Sequence, residues 1–497
     1  MKYFLDKVYN RMKYLIPSLY SLAVFRIVLG ISVLYNLIFV KLPYIEEFYG
    51  KNTIIPKSLM IEMNGEQSFS ILNVIQSDGF AYLLMLFTIA AALSFTLGYK
   101  TKLAGFISLF GYWSFLQAGS KFAFGFDFYT IHVLFWAVFL PLDNHFSVSK
   151  ISRKECAMPS LAFSMALLIQ ITCVYFFTGL AKYGITWQEG TAITAMLSDV
   201  FSVTPLHQYM LPHTSICKML TYSTLLFEVL SPIMIFASFK NQMLRYFFVI
   251  ILLGFHLTIL SMYKVANFSI TGIAVALLLL PDNFWKRLGF VDGNLDKKLT
   301  YKSVYIKGFA VIFSIFSIYV IIEKNIFFST KHTLWKKYNS SQWVSENLSF
   351  LDIPSPISIS YFSQYWKMFA PNPPFRLGWF TIEKKLADGT FEDILTKKKV
   401  ALDEYSFKEA WHTKGMERFL LYYSRFYKEG QRGEKFRIYL FYWTLHKLEQ
   451  NGVTKKAEFS QYYFADYNYI LDLAHLDKKP KMSRDISSCS KILLGYE

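Results

Sequence analysis

Cysteine is scarce, with Cys156, Cys173, Cys217 and Cys489 the four in 497 residues. None stands in a CxxC pair, so no zinc site of that kind is indicated, and the density is too low for a disulfide framework. The chain also lacks a Walker loop, a Rossmann glycine pattern and a nucleophile elbow. His207 and His213 lie in TPLHQYMLPHTS, where Pro205 and Pro212 make a loop. Their spacing fits no standard metal motif, so no metal is assigned. Repeats, low-complexity tracts and the paired broken-helix halves of inverted-repeat transporters are missing too. Charge is thin at 18%, against 54% hydrophobic residues and a mean hydropathy of +0.29. An ordinary soluble domain is excluded by that balance. The net charge is +17, yet no basic element carries a nucleic-acid motif. The surplus is read instead as cytoplasmic loops and contact with anionic lipid, and the bilayer is the expected partner.

Apolar runs near the length that crosses a bilayer, ~20 residues, recur through the first two-thirds. They place spans at 18–40, 79–99, 103–118, 129–142, 159–181, 219–239, 243–263, 265–281 and 304–322. The third and fourth are short, either tilted partners or re-entrant. The first lacks a small-residue cleavage site and reads as an uncleaved span. Alternate loops differ in charge. Those containing Lys2–Lys13, Lys100–Lys102, Lys150–Lys154, Lys240–Arg245 and Lys286–Lys302 hold sixteen Lys and Arg. The opposite loops hold seven, namely Lys41, Lys51, Lys57, Lys121, Lys182, Lys218 and Lys264. The excess puts the N-terminus in the cytoplasm and Lys182 on the outer side of a cell membrane.

The expected fold is an all-α polytopic membrane helix bundle of about eight to nine spans. A small α+β extramembrane C-terminal domain follows. Residues 1–17 form a cytoplasmic segment, 18–290 the transmembrane domain, 291–324 a cytoplasmic linker with the last span, and 325–497 the extracytoplasmic domain. In that domain, GWFTIEKKLADGTFEDIL alternates, and Asp388-Gly389 signals a turn between two short strands. Helix-like stretches follow at Glu417–Tyr427 and Phe436–Glu449.

Charges inside spans are expensive and need a partner or a task. Arg26 lies in the first span and Glu228 in the sixth. They read as an intramembrane charge pair that orients helices, or as the lining of a polar cavity. Asp127 and His132 flank the start of the fourth span, and His256 lies in the outer half of the seventh. His256 is open to two readings, an interhelical hydrogen-bond donor or a proton relay. Lys182 ends the apolar run Leu161–Lys182, beside Tyr175, Tyr183 and Trp187. It is either a snorkelling anchor or a general base, since burial disfavours the ammonium. Gly179 and Gly184 on either side allow close approach of a ligand or helix.

Five segments then stand in order: SLAVFRIVLG, FYGKNTIIP, VYFFTGLAKYGITWQEGTA, TLLFEVLSP and FHLTILSMYKVANFSITGIAVALLLLPDNFW. Over residues 18–290 this series resembles the HTTM domain, the transmembrane module of the vitamin K-dependent gamma-carboxylase. WKMFAPNPPFRLGWF (Trp366–Phe380) resembles the tail of bacterial HTTM-domain proteins rather than the animal enzyme's lumenal domain. The resemblance implies that Lys182 matches the base that deprotonates reduced vitamin K, with a reduced quinone as cofactor; on that enzymatic reading His256 or His132 relays protons, and Asp127 is a further candidate catalytic residue. The chain departs from the carboxylase where that enzyme has a histidine before the fourth span. Asp127–Tyr129 stand there, and the nearest histidine is His132. Trp187–Ala192 is also similar to SdpB-like proteins, which mature secreted peptide toxins. That likeness implies an exported peptide partner and a non-enzymatic escort role.

Overall fold

The computed structural model describes residues 15–53, 57–58, 61, 69–120, 123–149, 159–198, 203–238, 240–290, 366, 368–373, 376–394, 397–400, 442, 444–454, 456–470 and 481–489. Eight principal helices build the N-terminal region. They are α1 (Leu19–Tyr35), α2 (Asp78–Leu97), α3 (Thr101–Ala118), α4 (Gly125–Ala137), α5 (Leu161–Ala181), α6 (Thr214–Ser238), α7 (Gln242–Met262) and α8 (Ala266–Leu278). Among the described residues, five helices are long and apolar enough to cross a membrane: Leu19–Tyr49, which begins with α1, and α2, α5, α6 and α7. The chain is therefore a mostly helical membrane protein, and five candidate spans stand where eight to nine were expected. Helices α4 and α8 have 13 residues each, short of the ~20 that hydrocarbon demands. The expected span at 304–322 lies outside the described residues.

The burial pattern is that of a protein dissolved in lipid. Leu83, Leu86 and Phe87 of α2, Leu226 and Ile233 of α6, and Phe247 and Ile250 of α7 are exposed. Arg26, Asp127, Gln170, Glu228, His256 and Asn267 are buried. Water would favour the reverse. Helix starts follow local chemistry: Asn241 Oδ1 accepts from the amides of Met243 and Leu244 at the head of α7. At α4, Asp127 accepts from the amide of Phe124. This bond starts the helix at Gly125, four residues before the expected span.

Beyond α1 the chain widens into a π-turn at Asn36–Lys41. At about 3.6 residues per turn, α-helical residues five apart point in different directions. In a π-turn, whose bond runs i to i+5, they stack. Asn36 and Lys41 therefore face the same neighbour.

At the other end of the bundle, Arg26 is fully buried and donates to the carbonyls of Leu142 (2.8 Å), His145 (3.3 Å) and Phe146. Arg245 likewise donates to the carbonyls of Leu279 and Leu280 at the close of α8. Trp285 Nε1 donates to Ser21 Oγ, which donates to the carbonyl of Leu280.

The C-terminal region contributes an antiparallel sheet in the order β2-β1-β3-β4, with β1 Arg376–Lys385, β2 Phe391–Asp393, β3 Tyr462–Ile470 and β4 Lys481–Ser488. Pairing of Lys385 with Phe391 closes the expected Asp388-Gly389 hairpin. Asp388 accepts from Lys399 and Thr390, and these bonds hold its carboxyl below the usual carboxylate range. Arg484 pairs with the buried Glu383 and lies 4.6 Å from the centre of the Phe391 ring. Residues 444–450 are helical. The stretch Glu417–Tyr427 lies outside the described residues, as does most of Phe436–Tyr442.

Candidate functional site

Lys182 is the residue at which α5 stops. A lysine so placed ordinarily extends to water. Here it is 6% exposed. Its Nζ donates to both carboxylate oxygens of Glu228, at 2.5 and 2.6 Å. The Trp187 ring covers the ammonium, with its centre 4.5 Å away. The two charges meet because α5 and α6 approach closely at Gly179. A Cβ there would stand 2.9 Å from Cβ of Glu228 and 3.1 Å from the amide of Val229. Pro232 lies four residues after Glu228 in the same helix. Lacking an N–H, it leaves the Glu228 carbonyl without its helical donor. Backbone polarity is thus added beside the carboxylate.

Glu228 is therefore the partner of Lys182, and the expected Arg26–Glu228 pair is not formed. The physical reason is position. Arg26 lies toward the end of the bundle where the loop after α4 offers three carbonyls, whereas Glu228 lies against the far end of α5.

Seven residues before Lys182, two helical turns back on the same face of α5, stands Tyr175. Its hydroxyl contacts His256 Nε2 at 2.8 Å and the hydroxyl of Tyr129 at 3.1 Å. The charge of Glu228 also acts on it. His256 is fully buried, and its Nδ1 has no hydrogen-bond partner among the described residues. A buried polar atom left without a partner is uncommon in a settled core. The ring is seated against the backbone of α8 at Gly272, where a Cβ would fall 2.0 Å from Cε1 and Nε2. Gly272→Ala is accordingly expected to displace the imidazole from Tyr175 and to cost ~1–3 kcal/mol through overpacking. Thermal unfolding of the purified chain in detergent checks this, and an unchanged midpoint would show that the ring does not sit there.

Asp127 belongs to a second buried cluster. Its carboxylate accepts from Asn36 Nδ2 (3.1 Å), the Tyr112 hydroxyl (2.9 Å) and the amide of Phe124 (2.9 Å), and it pairs with Lys41 Nζ at 3.0 Å. Lys41 is 1% exposed. Ser32, Thr130, Asn267 and Thr271 form a continuous polar set between α1, α4 and α8. His132 contacts the carbonyl of Phe128 at 2.5 Å and meets the Trp366 ring edge-on. Of the four expected catalytic residues, Lys182 pairs with Glu228, His256 contacts Tyr175, and Asp127 lies in the Lys41 cluster.

Sequence reasoning had placed Lys41 among outer-loop charges and had not singled out Asn36 or Tyr112. The signal available for Lys41 was its place at the end of an apolar run, the same signal that marked Lys182.

No curated protein and no solved structure matches the chain. The HTTM domain family model matches residues 17–285, which hold the eight helices and both buried ion pairs, and the chain belongs to the HTTM domain family.

Proposed function

We propose that this HTTM protein is a membrane enzyme in which Lys182, paired with Glu228, removes a proton from a quinol-like hydroxyl or a peptide substrate at the outer face. The observation that carries the reading is a contrast between two buried ion pairs. The Asp127 carboxylate has four donors, three on Oδ1 and the Phe124 amide on Oδ2, which stabilise its ionised form. Lys182 and Glu228 have only each other and the Trp187 face among the described residues. A saturated pair holds helices together, whereas a bond-poor pair can exchange a proton. The base form of the pair is an amine beside a carboxylate, a net negative charge in an apolar site. Taking a proton from substrate restores the overall neutral ion pair and relieves that cost. Tyr175 and His256 supply the path by which the proton leaves. A reduced quinone fits the apolar surroundings and the family's chemistry.

A second reading is favoured by one observation. A turn segment, Met368–Asn372, is already held on the loop after Lys182, as an exported peptide would be by an escort factor. Lys182→Arg separates the two. The enzyme loses its base, because guanidinium does not deprotonate. An escort keeps its function, and that result would remove the catalytic reading.

A further inference from the structure

The loop that follows Lys182 is bound by a piece of chain almost two hundred residues away. The amide of Gly184 donates to the carbonyl of Pro371 at 3.0 Å. The amide and hydroxyl of Thr186 both donate to Asn372 Oδ1, at 3.1 and 2.9 Å. Trp187 Nε1 donates to the carbonyl of Phe369 at 2.9 Å. Every donor comes from the loop and every acceptor from the segment. Gly184 is required for this fit, since a Cβ there would stand 2.2 Å from Asn372 Oδ1 and 2.3 Å from the Pro371 oxygen. The Phe369 ring packs with Tyr263, and Met368 lies over Gly125. Trp366, 3% exposed, sets its ring edge-on to both Tyr129 and His132.

These contacts converge on one group. Trp187 is the side chain over the Lys182 ammonium, and its indole is fixed by Phe369. Tyr129 is hydrogen-bonded to Tyr175, and Trp366 lies against it. A lysine at a helix end has water available on its open side unless something covers it; here Trp187 covers it, and the C-terminal segment holds Trp187 in place. We propose that Trp366 and Met368–Asn372 are the roof of the Lys182 site, positioning residues that keep bulk water from the Lys182–Glu228 pair. Asn372 and the Phe369 carbonyl act through Thr186 and Trp187, and Trp366 acts through Tyr129. The HTTM domain alone, residues 17–285, is on this reading an incomplete site. The inference deepens the base assignment of Lys182 and rests on it for its functional meaning, but the covering of the amine is separately measurable.

The test uses the full chain in nanodiscs, which leave both faces open, and a water-soluble acylating reagent such as sulfosuccinimidyl acetate. Acylation at Lys182 is followed by mass spectrometry against the exposed Lys218 as internal standard. Asn372→Ala, which removes both hydrogen bonds from Thr186, and Trp366→Ala, which removes the ring against Tyr129, are each expected to raise the Lys182 rate about tenfold or more. Lys218 is expected to be unchanged, which normalises the reagent, and the buried Lys41 is expected to stay unlabelled, which reports an intact fold. Trp366→Phe, which keeps a ring against Tyr129, is expected to restore most of the protection. Unchanged Lys182 rates in both alanine variants would overturn the roof. A raised rate combined with full function in Lys182→Arg would leave the roof standing and remove the base. Loss of function in Lys182→Arg with unchanged labelling in the strap variants would do the opposite.

Discussion

Lys182→Arg is expected to lower turnover by about 10²–10⁴-fold, the usual contribution of a positioned general base, while leaving the chain folded. Arginine keeps the positive charge that Glu228 requires and can present two donors to its carboxylate. What it cannot do at neutral pH is hold the deprotonated state from which a proton is accepted. Lys182→Ala separates charge from chemistry. It strands Glu228, 3% exposed, without its counter-charge, and breaking a buried pair from one side costs ~3–5 kcal/mol. The alanine variant is therefore inactive and destabilised, the arginine variant inactive and stable. The double variant Lys182→Met/Glu228→Leu removes both charges and is expected to regain the lost stability or exceed it, since two matched apolar groups replace a pair that paid desolvation twice. Thermal unfolding in detergent measures the stability arm. Consumption of a reduced naphthoquinone in proteoliposomes measures the activity arm. Full activity in Lys182→Arg, or a double variant no more stable than Lys182→Ala, removes the argument.

The sequence made the chemistry at this site legible but not its partners. Lys182, Glu228 and His256 stand out because ionisable groups in apolar runs are costly, and Tyr175 shares a face with Lys182 by helical spacing. Periodicity gives the face of a helix, not the helix it meets. Arg26 and Glu228 looked complementary by sign alone, and a lysine that a soluble reading would leave in a loop was the better partner. Lys41 was hidden by the π-turn, which an α-helical count cannot anticipate because it rotates everything beyond it. The strap at Trp366 and Met368–Asn372 was visible as a motif, but its hydrogen bonds to Gly184, Thr186 and Trp187 span a sequence separation that carries no periodic signal. The Asp388-Gly389 hairpin was readable throughout, because turn chemistry is local.

Asp127→Ala is expected to be the most damaging single change to the fold, and its double variant decides what the residue does. Removing the carboxylate leaves Lys41 as an uncompensated buried ammonium, again ~3–5 kcal/mol. It also orphans the Asn36 amide, the Tyr112 hydroxyl and the amide of Phe124, each worth ~1–3 kcal/mol when buried without a partner. These terms are not additive, yet even the first is comparable to the whole stability of many domains, ~5–15 kcal/mol. The variant is expected not to accumulate as folded protein, seen as loss of the monodisperse species in detergent chromatography. Asp127→Leu with Lys41→Met removes both charges and is expected to recover folded protein. Four donors on one carboxylate hold it ionised and make it a poor acceptor of a substrate proton, so the rescued protein should retain Lys182-dependent turnover. If it folds but is inactive, Asp127 belongs to the chemistry after all, and the contrast between a saturated pair and a bond-poor pair fails as a guide to function.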